Sequence, residues 1–475
     1  MKNKFIIYMS ILKLRIILLV VLSCFACEVS AKIVLPAILA NNMVLQQKSN
    51  VPLWGNANAN ATIKVTTSWN KKVYRAKADA DGKWRLMVQT PDAGGPYTIT
   101  LSDGIPITLT DILIGEVWVC SGQSNMEMPM RGFKSIPTLN SSDVLVKADN
   151  QKLRLFQVQH AVSDTPLTDC TGPWKVSSPE SAFTFSAVAF QYGMLLQEIL
   201  KVPVGIIEAD WGGTRIESWM PNSALAHFPA VKLPAPNSQI GPYQPTALFN
   251  GMIAPITGFG IQGFLWYQGE ANIRQPANYD QLMKSMVASW RESWKRDTIP
   301  FYYVQIAPYR NPKGGDSVPY LREKQQQAQF EIPNTGMIVT TDVGEELNIH
   351  PSDKTTISKR LLYWALGHTY QKKGIAYQSP LYQEMTVAGD QVTLTFKDTP
   401  QGFTAYDREI TGFEIAGADK FFHPATARIW NNTVQVRSDQ VAKPVAVRYA
   451  FKDWGVGNVY NTFGLPVAPF RTDDW

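Results

Sequence analysis

The sequence predicts an α/β protein: a three-layer α/β/α domain flanked by N- and C-terminal β-sandwich-like modules. Three observations predict it. Residues 32–108 hold short strand-like segments and turns, with no helical period; residues 109–373 alternate apolar runs with amphipathic helical segments; residues 374–475 return to short alternating strands. Strand–helix alternation at that scale means a mostly parallel sheet covered on both faces, with any site at the carboxyl ends of its strands. At 475 residues, 45% hydrophobic and 18% charged, the chain is globular in composition and long enough for two or three domains with cores of their own.

The first segment, residues 1–31, stands apart. Lys2, Lys4, Lys13 and Arg15 precede the apolar run "IILLVVLSCFAC", and the small-residue stretch "VSA" follows at Val29–Ala31. This is the order of a secretory signal peptide. The apolar run is short for a membrane span of about 20 residues, so export to the periplasm or medium is expected, with no membrane span. Cys24, in "VLSC", offers a lipid-anchored variant of the same export. Without residues 1–31, 41 basic and 38 acidic residues remain, a net charge of +3, which points to no nucleic acid or other polyanionic partner. Only Cys120 and Cys170 then remain, which is not a disulfide scaffold, and no zinc-ligand spacing is present. They could pair, or Cys120 could simply be buried in its strand.

In the N-terminal module, "VPLWG", "TIKVTTSW", "KKVYRAKAD", "KWRLMVQT" and "YTITLSD" read as strands, separated by turns such as "DADGKW" and "DAGGPY". In the central domain, "ILIGEVWVC", "LRLFQV", "VGIIEADW", "IQGFLWYQ", "FYYVQIAPY" and "GMIVTTDV" read as strands buried on both faces. Tyr279, Leu282, Met286 and Trp290 recur at helical spacing. Ser352 can cap a helix in which Ile357, Leu361 and Ala365 share a face. The C-terminal module carries "QVTLTF", "ARIWNNTVQVRS" and "PVAVRYAFKDW", and "GLPVAPFRTDDW" reads as a surface tail.

Four strand ends of the central domain carry unusual polar residues: "GQSNM" with Ser124, "DWGGTRIESW", "WYQGEAN", and "TTDVGEELNIHPSDK" with His350. Acyl transfer by a serine needs a hydroxyl beside a base, an imidazole near neutral pKa, and donors aimed at the developing oxyanion. Ser124 supplies the hydroxyl and His350 the imidazole. The backbone N–H groups of Ser124 and Gly213, with the Gln268 amide, are candidate donors. A lone serine after a strand is most often a turn residue. The case rests on all four segments falling on successive strand ends of one sheet.

"GEVWVCSGQSNM", "WGGTRIESWM", "LFNGMIAPI", "GFLWYQGEAN" and "NIHPSDK" resemble the sialate O-acetylesterase family of SGNH-type hydrolases. "LPAILANNMVLQQ" and "VPLWG" resemble its N-terminal β region, and "VAVRYAFKDW" and "LPVAPFRT" its C-terminal one, so the likeness covers the whole chain after residue 31. The resemblance implies a flavodoxin-like catalytic domain, removal of O-acetyl groups from sugars, and no cofactor or metal. It implies Ser124 as nucleophile, His350 as base, and Gly213 and Gln268 in the oxyanion hole. Arg215, Asn250 and Glu270 follow as substrate-binding candidates, Arg215 for a sugar carboxylate or, structurally, as the partner of Glu217 or Asp210.

The chain departs from that family behind the base. Leu347 stands where SGNH hydrolases commonly carry the acid of the triad, and "NIHP", with Asn348, replaces "DIHP". Asp342 is the chosen third member; Glu345, Glu346 and Asp353 are alternatives, as is a Ser–His dyad whose imidazole is oriented by a backbone carbonyl. Acetylated xylan competes with sialic acid as substrate. A non-catalytic carbohydrate-binding protein and a lipase or thioesterase are the competing functions.

Overall fold

A computed structural model describes residues 33–235, 239–311 and 317–475. The expected signal segment 1–31 and the anchor candidate Cys24 lie outside the described residues.

The N-terminal module consists of β1 (Val44–Gln46), β2 (Asn50–Asn56), β3 (Thr62–Thr67), β4 (Val73–Lys77), β5 (Lys83–Gln89) and β6 (Gly94–Ser102). β2 pairs antiparallel with β5, and β3 with β4 and β6. In β3, Ile63 and Val65 are buried while Lys64 and Thr66 are exposed; in β5, Trp84, Leu86 and Val88 point inward. A strand with one wet face has this period of two.

The next strand, β7 (Pro106–Gly122), belongs to both the module and the central domain. Its start pairs antiparallel with β6, and its end pairs parallel with two central strands. Burial alternates through Asp111 and is continuous from Ile112 to Gly122. The expected boundary between 108 and 109 therefore falls inside one strand, which couples the module directly to the strand that leads into Ser124.

The central sheet adds β8 (Asn150–Gln157), β9 (Trp174–Ser177), β10 (Val204–Asp210), β11 (Gly263–Tyr267), β12 (Phe301–Val304) and β13 (Thr335–Ile338), in the order β13-β12-β11-β7-β10-β8-β9. All are parallel except β9, which returns antiparallel beside β8. Counted in chain order, the run β10-β7-β11-β12-β13 is the 2-1-3-4-5 arrangement of flavodoxin-like sheets. Five helices matter for the site and its cover: α1 (Ser124–Glu127), α2 (Ala187–Leu200), α3 (Tyr279–Ser293), α4 (Ser317–Glu331) and α5 (Lys354–Trp364). Trp118 and Cys120 of β7 join the apolar layer under α2 and α5, and Val117 and Val119 join the layer under α3 and α4. This gives three layers.

Two expectations need correction here. The cap of α5 is Asp353, whose Oδ1 accepts from Thr356 N at 2.9 Å. Ser352 instead donates its N–H and hydroxyl to Glu345 at 2.7 and 2.6 Å. Nor is the C-terminus a surface tail. Leu465, Val467, Ala468 and Phe470 are buried, and Phe470–Arg471 pairs with the strand Ala446–Tyr449. Arg471 forms a double hydrogen bond with Glu323 of α4, at 2.8 and 3.1 Å, which ties the C-terminal module to the central domain. Apolar residues need cover: Val467 and Phe470 find it in the module's own core, and Ala468 in that of the central domain. Cys120 and Cys170 are both unpaired, and Cys120 is buried in β7.

Candidate active site

The nucleophile turn begins at a glycine for a steric reason. Gly122 has φ +146°, and a Cβ there would lie 2.1 Å from the Tyr267 carbonyl oxygen at the end of β11. Only glycine lets the two strand ends close this far. Gln123 N donates to that same carbonyl at 3.0 Å, and Ser124 opens α1. From the loop between β13 and α5, His350 reaches across with Nε2 2.9 Å from Ser124 Oγ. Phe133 packs its ring edge-on against the imidazole, 5.3 Å between centroids. Residues 226 apart in sequence thus form a hydroxyl–imidazole pair at hydrogen-bond distance.

The far side of the imidazole is bare. His350 Nδ1 is buried and has no hydrogen-bond partner among the described residues. Asp342, expected behind it, forms a double hydrogen bond with Arg360 of α5, both contacts 2.7 Å. Each alternative acid is committed as well. Glu345 accepts from Ser352 and from Asn348, Glu346 pairs with Arg310, and Asp353 caps α5. Asn348 turns back on the base's own backbone, accepting from His350 N at 3.0 Å and donating to His350 O at 2.8 Å. Burial, and then the nearby Lys354 ammonium, push the imidazole down to a pKa of about 4.

The glycine pair after β10 closes the other side. Gly212 lies so near the nucleophile that a Cβ there would be 3.3 Å from Ser124 Cβ. Its N–H donates to Glu127 Oε2 at 2.6 Å. Gly213 is left-handed, φ +74°, and its N–H has no partner among the described residues. Glu127 also faces His160 at 3.4 Å, and His160 stacks on Trp211 with centroids 3.9 Å apart. Thr214 fastens the loop, donating to Trp211 O at 2.7 Å and accepting from Trp219 Nε1 at 3.0 Å. Beneath it, burial raises the carboxyls of Glu208, to about 8, and of Asp210.

The remaining candidates divide. Gln268 is fully buried, and its Nε2 sits 3.1 Å from Gln123 Oε1, 3.1 Å from Thr214 O and 2.8 Å from Asn272 Oδ1. Two amide protons face three acceptors, so it braces three strand ends and has no proton left for a substrate oxygen in this arrangement. Glu270 is buried behind the nucleophile turn, accepting from Asn125 Nδ2 at 2.6 Å, and burial raises its pKa. Asn250 is not brought to the cluster; it holds the loop at Ser163, donating to Ser163 O at 3.2 Å. Arg215 pairs with Glu217 at 2.8 Å and bonds Gln275 at 2.8 Å, on the wall of a cleft of about 870 Å³ that also contains Arg274 and Tyr243. Tyr243 borders Gly213, where a Cβ would approach it to 3.4 Å. Among the described residues, no group of three or more His, Cys, Asp or Glu could hold a metal ion, and no helix is long and apolar enough to cross a membrane.

Gln123 and Asn125, the two amides that flank Ser124 in the sequence, carry no expected role there, nor do Glu127 and Lys354. Signals were present: the first three lie within three residues of Ser124, and Lys354 ends the "NIHPSDK" segment.

Residues 114–371 match the family described as carbohydrate esterase, sialic acid-specific acetylesterase. The chain is 30% identical to the sialate O-acetylesterase of Homo sapiens over 467 residues, covering 87% of this chain and 86% of the relative. It is 27% identical to that of Rattus norvegicus, covering 90% and 92%. The crystal structure of a carbohydrate acetylesterase from Xanthomonas citri is similar with a TM-score of 0.86 and 35% identity, over 94% of this chain and 100% of that one.

Proposed function

Since the chain belongs to the carbohydrate esterase family of sialic acid-specific acetylesterases, and is thus a carboxylic-ester hydrolase removing O-acetyl groups from sugars, we propose that it works through a Ser124–His350 dyad on O-acetylated sialic acid. The observation that carries the mechanism is the 2.9 Å contact between Ser124 Oγ and His350 Nε2. Nε2 accepts the hydroxyl proton as Oγ bonds to the acetyl carbonyl carbon. The oxyanion is met by the N–H groups of Ser124 and Gly213; Gln268 keeps the three strand ends in register rather than donating. His350 then returns the proton to the departing sugar oxygen, and water repeats the sequence on the acetyl-serine. Asp342 has no part in the proton transfer, because its carboxylate is held by Arg360. The arrangement of residues 1–31 supports export, which fractionation of the producing cell would test.

A second substrate reading has an observation in its favour. The Arg215 charge is already offset by Glu217, which suits a neutral acetylated polysaccharide such as xylan better than a sugar carboxylate. Acetate release from O-acetylated sialic acid and from acetylated xylan separates the two. The sialate reading expects the higher kcat/KM on the sialic acid, and the reverse order favours the polysaccharide.

A further inference from the structure

Lys354 is the first residue of α5 and is fully buried. Its Nζ donates to Asn125 Oδ1 at 2.6 Å and lies 5.5 Å from the centre of the Tyr267 ring. Asn125 follows the nucleophile directly. Its Nδ2 donates to Glu270 Oε1 at 2.6 Å and to the Ile349 carbonyl, just before the base, at 3.0 Å. One amide therefore joins the nucleophile turn, the end of β11, the base loop and the start of α5. A buried ammonium is costly unless it is paired and hydrogen-bonded. Among the described residues no carboxylate comes within the 4.0 Å of an ion pair to Lys354; burial lowers its pKa to about 7 against the opposing pull of Glu270, Glu345 and Asp353, so it is a cation through the acid range in which the imidazole titrates.

We propose that Lys354 is a positioning residue for the Ser124–His350 pair: a buried cation that locks the nucleophile turn to the base loop through Asn125 and disfavours a second positive charge on the neighbouring imidazole. The groups facing His350 are consistent with this: Ser124 from the end of β7, the Phe133 ring, and Lys354. Those facing Lys354 are Asn125, Tyr267 and Glu270 from other strand ends, and Glu345 and Asp353 from its own loop. Where a triad places an anion behind the base, this chain has a cation beside it. Burial first, and then this charge, keep the imidazole neutral and able to accept the serine proton well into the acid range. The inference rests on the dyad reading, but its test does not depend on turnover.

The experiment is an NMR titration of the His350 ring in the wild type, Lys354→Gln and Lys354→Met, with kcat/KM measured against pH in parallel. Glutamine removes the charge and keeps an N–H donor for Asn125; methionine removes both. In each folded variant the His350 titration should rise by about one pH unit or more toward the ordinary imidazole value, and the acid limb of kcat/KM should rise with it. Lys354→Gln should retain more of kcat than Lys354→Met. A purely structural role for Lys354 would lower activity without moving either midpoint, and that result would overturn the proposal. So would a wild-type His350 that titrates at the ordinary value, which needs no variant to fold. A wild type that releases no acetate would sink the dyad reading and leave the ring titration to decide on Lys354.

Discussion

Carboxylates shape the loops after β10 and after β13, and they do so differently. At the end of β10, Glu127 from the nucleophile's own turn holds the Gly212 N–H, while the next N–H, that of Gly213, has no partner among the described residues. At the end of β13, Asp342 is closed into a pair with Arg360, and Glu345 shapes the base loop through Ser352 and Asn348. Neither strand end places an anion on His350 Nδ1. The carboxylates of this site set backbone shape, and the electrostatics of the base come from burial and from Lys354.

The largest effect is expected at the β10 end: Glu127→Ala frees the glycine loop and should lower kcat about 100-fold with KM little changed, since small misplacements of a reacting geometry cost about that much. An unchanged kcat on p-nitrophenyl acetate would remove Glu127 from the account. At the β13 end, Asp342→Asn should leave kcat within about threefold but destabilise the fold by about 3 kcal/mol, the scale for breaking a buried ion pair. Denaturant unfolding and kcat, measured on the same preparation, check this. A kcat lower by about 10⁴-fold would restore Asp342 as the acid behind the base.

The smallest effect sharpens the β10 side alone. Burial raises the carboxyl of Glu208 well above the ordinary carboxylate range, beside that of Asp210. The native state therefore keeps a proton that the unfolded chain has released. Its stabilising contribution is complete below the ordinary carboxylate range and is lost as pH rises above it, with the neighbouring Asp210 carboxyl raised in the same direction. The melting temperature should fall across that window, and Glu208→Gln should flatten the slope. An equal slope in the variant would assign the dependence elsewhere.

How much could be read from the sequence follows from the range of each interaction. Strand and helix identities were legible because burial follows local period: Ile63 and Val65 alternate with polar residues, while the β7 run from Ile112 onward does not. Ser124, His350 and the glycine pair were legible as polar residues just past apolar strands. The partner of Asp342 was not, because nothing local distinguishes an acid aimed at an imidazole from one aimed at a guanidinium one helix later. Lys354 reads as an ordinary first-turn lysine until the fold buries it against Asn125, 229 residues away in sequence. The docking of the C-terminus was hidden for the same reason, since Glu323 and Arg471 are 148 residues apart.

Ser124, paired with a His350 whose Nδ1 meets no acid among the described residues, is the proposed agent of ester cleavage. Acetate release from p-nitrophenyl acetate by the wild type and by Ser124→Ala tests it most directly. The account predicts turnover in the wild type and a fall of about 10⁴-fold or more in the folded variant. A variant that retains the wild-type rate would contradict it.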